Sequence, residues 1–110
     1  RGPGAAAAAL GARLRGDAEL AERVRSSLRV GVHWDTAVQG VEHRVCQVFC
    51  SAVPVTFSTA SQRVGLAPFA QAVLDAAYEA VLACGATLAR RRRARVQVFL
   101  TALGGGSFGN

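Results

Sequence analysis

The sequence predicts an α/β fold with a parallel βαβ unit. Three observations in its second half carry that expectation. Residues 45–53 (VCQVFCSAV) and 94–103 (ARVQVFLTAL) are each apolar on both alternating faces, as strands of a helix-covered parallel sheet are. Between them, residues 66–90 repeat apolar side chains at helical spacing. Strand, helix and strand in that order form one right-handed crossover.

Each element follows from local chemistry. Residues 1–16 (RGPGAAAAALGARLRG) are low-complexity, with three Arg and no acid. That composition suits an organellar transit peptide, but the missing Ser favours a disordered linker. This stretch is set apart from a partial α/β domain over 17–110. Asp17 is a helix N-cap. Leu20, Val24 and Leu28 recur every four residues behind it, with Glu19 and Glu22 in the first turn, so a short amphipathic helix is expected over about 17–28. Leu28, Val30, Val32 and Trp34 then share one side of a strand. Residues 35–44 are polar, contain Gly40 and read as a loop. After the strand at 45–53, Pro54 limits further pairing, and residues 56–65 form a polar loop.

The long helix begins with Pro68 near its first turn, where a missing N–H costs nothing. Phe69, Val73, Ala76, Ala77, Ala80 and Cys84 make one stripe; Leu74, Val81 and Leu82 add a second; Asp75 and Glu79 mark the outer face. Gly85 either ends or weakens this helix.

Composition bounds the function. The 110 residues are 51% apolar and 18% charged, enough for one small core. No uninterrupted apolar run approaches the ~18 residues of a bilayer span, so no membrane segment is expected. The net charge is +6, and all thirteen basic residues are Arg; such a balance favours phosphate or nucleic-acid partners. Three cysteines without metal spacing point to reduced thiols in an intracellular protein. No Met is present, and Asn110 lies inside a Gly-rich turn, so the chain reads as a piece of a longer protein.

The candidate binding residues are Gly104, Gly105, Gly106, Ser107, Phe108, Gly109 and Asn110 (GGGSFGN). In open α/β sheets, ligands bind beyond the carboxyl ends of the strands. Successive glycines admit positive φ and close approach of the backbone, and their N–H groups converge on an anion. Ser107 offers a hydroxyl and Phe108 an apolar wall. A plain tight turn is the competing explanation.

Residues 45–110 resemble the C-terminal half of a macro domain. The loop Gly104, Gly105, Gly106, Ser107, Phe108, Gly109 matches the family's small-small-Gly-x-aromatic-Gly pattern. Residues 69–88 (FAQAVLDAAYEAVLACGATL) are similar to its preceding helix, 96–103 (VQVFLTAL) to its strand, and 51–58 (SAVPVTFS) to the strand end before the crossover. The resemblance implies a three-layer α/β/α macro-like fold, incomplete here, that binds ADP-ribose or a related nucleotide. It further implies that the loop embraces the diphosphate, that Phe108 packs near the distal ribose, and that an ADP-ribosylated protein is a possible partner. No cofactor is implied. The poly(ADP-ribose) glycohydrolase-like branch is the nearest. Its paired catalytic glutamates occupy a Gly-rich signature, whereas Glu19, Glu22 and Glu42 lie in none. The family's Asn near the first strands is also unmatched, because Asn110 is the only Asn. The resemblance thus points towards an ADP-ribosyl glycohydrolase without placing catalytic residues on this stretch.

Other constellations carry less. His33 alternates in facing with Val32 and Trp34, and with His43 it lacks a third ligand for a metal. Cys46 and Cys50 face the same way but stand ~13 Å apart along a strand. Arg90, Arg91, Arg92, Arg93 and Arg95 make either a solvated helix end or the centre of a basic nucleic-acid-binding domain. They precede a strand, so they belong at the opposite edge of the sheet from GGGSFGN.

Overall fold

The computed structural model describes residues 3–14, 16–54 and 59–105. Along the chain run α1 (Pro3–Leu14), α2 (Ala18–Ser27), β1 (Gly31–Ala37), β2 (Arg44–Phe49) and α3 (Ala60–Arg92). The protein is therefore a mixed α/β structure, and its two strands pair antiparallel.

The segment read as a linker contains α1. Its alanines are the strongest helix formers, and tertiary contact supplies the rest. At Gly11 an added Cβ would overlap the Gly65 carbonyl of α3, and at Gly65 it would meet Ala8 at 3.1 Å. The two helices cross where neither carries a side chain. Leu14 and Leu66 are buried nearby.

The second helix forms as its sequence dictates. Asp17 caps it by accepting a 2.9 Å hydrogen bond from the Leu20 amide, and Glu22 pairs with Arg25 at 2.6 Å. No residue of α2 is buried; it lies on α3 through half-buried positions such as Leu20 and Val24.

The long helix starts earlier than its sequence suggests. Pro68 sits inside it rather than in the first turn. An interior proline removes one ladder N–H and costs about 3 kcal/mol. Burial of Leu66 and Ala70 on either side offsets this by holding both flanks. At 33 residues the helix runs about 50 Å, matching the longest dimension of the molecule, 50 Å. Gly85 is interior, while Asp75 and Glu79 are exposed as expected.

Arg93 ends the helix. Its φ is +51°, and the Ala94 amide reaches back to the Ala89 carbonyl at 3.3 Å. That six-residue return with a left-handed residue is the capping geometry normally built on glycine.

The expected last strand departs most from the structure. Residues 95–101 take no regular secondary structure and join no sheet, so no parallel βαβ pairing and no three-layer sheet is seen among the described residues. Contacts with α3 hold this segment instead: Val98 lies against Gly85 and the Tyr78 hydroxyl bonds the Thr101 carbonyl, leaving a groove of about 560 Å³ between it and β2.

One stretch, Val64–Arg92, is long and apolar enough to cross a membrane by length and composition, with a mean hydropathy of 1.4 over its 18-residue window. Counting uninterrupted apolar residues missed it because isolated polar residues break the run. Helices α1 and α2 and the chain after Arg93 lie against this helix.

Candidate functional site

The Gly-rich segment is reached through the chain after Arg93. That chain doubles back along α3. Val98 lies over Gly85, where an added Cβ would stand 2.7 Å from the Val98 Cγ2. One turn-pair further back, the Tyr78 hydroxyl donates to the Thr101 carbonyl at 2.6 Å and accepts from the Leu103 amide at 3.0 Å. The Leu103 amide also reaches the Thr101 carbonyl at 3.0 Å, so the phenol ties a pair of already hydrogen-bonded backbone groups to the helix.

A tight turn follows. The Gly105 amide donates to the Ala102 carbonyl at 3.1 Å, with Gly104 at φ +69°. This conformation strains a residue with a Cβ, so the backbone at 104 favours glycine. Gly104 and Gly105 therefore start the turn that the sequence anticipates. Gly106, Ser107, Phe108, Gly109 and Asn110 lie outside the described residues.

The groove beside this segment has three walls. Arg44, Val45, Cys46, Val48, Phe49 and Cys50 form one side, residues 95–101 the other, and Tyr78, Val81, Cys84, Gly85, Leu88 and Arg92 of α3 the floor. All three cysteines line it, and none is in a disulfide. Burial pushes the Cys46 thiol up, Cys84 adds to this, and Arg92 opposes it. Burial also raises Cys50. Protonated thiols are poor nucleophiles, so the groove is not arranged for thiolate chemistry at neutral pH. No cluster of His, Cys, Asp or Glu among the described residues is suited to hold a metal; His33 and His43 are exposed.

Comparison with protein-family models, with curated proteins and with solved structures finds no match.

The arginine run occupies the other end of α3. Arg90, Arg91, Arg92, Arg93 and Arg95 are all exposed. Tyr78 and Arg92 are fourteen helical positions apart, or about 21 Å, so the run and the glycine turn are separated, as expected. The Arg91 guanidinium lies 5.2 Å from the centroid of the Trp34 ring. Trp34 does not share the half-buried state of Val32; it is 38% exposed. The cause is a register shift between His33 and Thr36. Trp34 and Asp35 together oppose Cys46 there, and such a bulge re-aims side chains. Asp35 in turn holds Arg44 at 3.0 Å.

Two features escaped the sequence. Tyr78 stands on the side of α3 that carries Val81, Gly85 and Leu88, and a phenol among alanines signals a polar partner. Convergence of the three cysteines left no sequence signal, because it depends on how the strand and the helix meet.

Proposed function

We propose that this chain binds the diphosphate of ADP-ribose or a related nucleotide through residues 104–110. One observation carries the reading. A segment fixed to α3 by Tyr78 ends in a turn whose Gly104 is already at positive φ. A glycine-rich backbone can turn free amides towards an anion; the Gly105 amide is taken by the Ala102 carbonyl, so the amides of residues 106–109 carry the proposed contact. The resemblance of residues 45–110 to a macro domain supplies the nucleotide class. The architectural part of the proposal is the three-layer α/β/α macro-like arrangement that the resemblance implies, of which β2 and residues 94–103 would be edges that form no ladder with each other among the described residues. The three free thiols support an intracellular setting, with ADP-ribosylated protein as a source of the ligand. Catalysis, where it occurs, draws on residues other than these.

The test is titration of the isotope-labelled chain with ADP-ribose, followed by amide shifts. The amides of Gly104–Gly109 should move, and more with ADP-ribose than with adenosine. A folded chain showing no shift at millimolar ligand would overturn the proposal.

A second reading rests on a separate observation: in a run of five exposed arginines, Arg91 lies over the partly exposed Trp34. Cations with an aromatic platform suit single-stranded nucleic acid. This reading expects salt-sensitive affinity that falls when Arg90–Arg93 are neutralised. Affinity that ignores salt would exclude it.

A further inference from the structure

We propose that the groove between β2 and residues 95–101 is a docking slot for an extended, acidic peptide segment of a partner, which enters as an additional strand. The argument starts from which residues line the slot. On β2 the lining includes both alternating sets, Arg44, Cys46 and Val48 as well as Val45 and Phe49. Opposite, every residue from 95 to 101 contributes. Successive side chains of a strand point to opposite faces, so a groove lined by both sets runs along the strand's edge. The β2 wall is therefore a backbone edge.

On β2 that edge is unpaired among the described residues, where the sheet has only two strands. Unpaired edges are templates for another strand, and an extended peptide that adds there gains main-chain hydrogen bonds. Apolar side chains wait along the slot: Phe49 is 58% exposed, Phe99 80% and Leu100 53%.

Charge selects the occupant. Arg92 and Arg95 line one end of the slot, and neither forms an ion pair among the described residues. Among the described residues no acid lines the slot, and the chain as a whole carries +6. A segment with carboxylates at that end and β-branched residues along its length complements both features.

The experiment uses the full chain and fluorescein-labelled peptides of about eight residues, enough to span the slot. They alternate Thr and Val and carry two Asp at one terminus or the other; matched peptides carry Lys instead. One Asp peptide should bind about ten-fold more tightly than its Lys counterpart at low salt, the yield of two partly screened ion pairs. Arg92→Glu combined with Arg95→Glu should invert that preference while leaving the circular dichroism spectrum unchanged. N-methylation of alternate amides should abolish binding, and the bound Asp peptide should slow alkylation of Cys46 and Cys84.

Equal binding of the Asp and Lys peptides would overturn the proposal. So would binding that survives N-methylation, since it would mark a purely electrostatic contact with the arginine run. A dimer in sedimentation velocity that excludes the peptide would assign the slot to a second copy of this chain instead. None of these outcomes depends on whether ADP-ribose binds.

Discussion

Tyr78 does at one position what a neighbouring strand would do along an edge. Its hydroxyl bonds the Thr101 carbonyl and the Leu103 amide. Tyr78→Phe should cost about 1–2 kcal/mol, the net value of two neutral hydrogen bonds, and should speed hydrogen exchange at Leu103 first. Unchanged exchange there would show that the segment is held by packing alone. At Arg93, φ +51° imposes strain on a residue with a Cβ. Arg93→Gly should exceed Arg93→Ala in stability by about 1 kcal/mol in chemical denaturation; the pair removes the same charge, so their difference isolates the backbone. The thiols give a pH signature. Burial raises Cys46 and Cys50, so the folded chain holds these protons more tightly than the unfolded one. Their stabilisation is complete below the ordinary thiol pKa and declines as pH rises beyond it. Iodoacetamide should accordingly react slowly at pH 7 and accelerate only at pH above that of a free cysteine. Rapid labelling at neutral pH would contradict this.

At the scale of elements, α3 is the spine, and glycines set how closely other elements approach it. Gly11 and Gly65 let α1 touch it backbone to backbone. Gly85 admits Val98. In an isolated helix Gly→Ala is favourable by about 1 kcal/mol, and here the gain opposes the contact with Val98. Gly85→Ala should therefore stabilise the Val98→Ala variant more than it stabilises the natural sequence. A double-mutant cycle by thermal denaturation reads that coupling, and strict additivity would mean that Val98 yields without cost. The same spine explains why the start of α3 was misplaced. Pro68 is a strong local stop, and only contacts with α1, some fifty residues earlier in the chain, carry the helix through it.

The whole molecule is extended and thinly packed. Its radius of gyration is 16.6 Å, against about 13 Å for a compact chain of this length. Its buried core consists of alanines with Leu14, Leu66 and Leu88, while Phe49, Phe99 and Leu100 remain exposed. Burial of this kind supports only marginal stability. Small-angle scattering should find the extended dimension in solution, and a peptide occupying the groove should raise the thermal midpoint by linkage. A radius near 13 Å would mean that the groove closes on itself.

Local signals were sufficient wherever the cause lay within a few residues. Asp17 with Leu20 fixed a helix start; the outer face of α3 followed from Asp75 and Glu79; Gly104 announced a turn at positive φ. Alternation in residues 45–53 gave the strand at Arg44–Phe49, whereas residues 94–103, read as a strand from the same signal, join no sheet. Whether those two segments meet was beyond its reach, because alternation encodes conformation and facing but not the partner. Packing made that decision: Val98 over Gly85 and Tyr78 under Thr101 hold the second segment on the helix, a groove's width from β2. The bulge that turns Trp34 towards Arg91 and the gathering of the three cysteines likewise arise from contacts between distant residues, which one-dimensional periodicity does not contain.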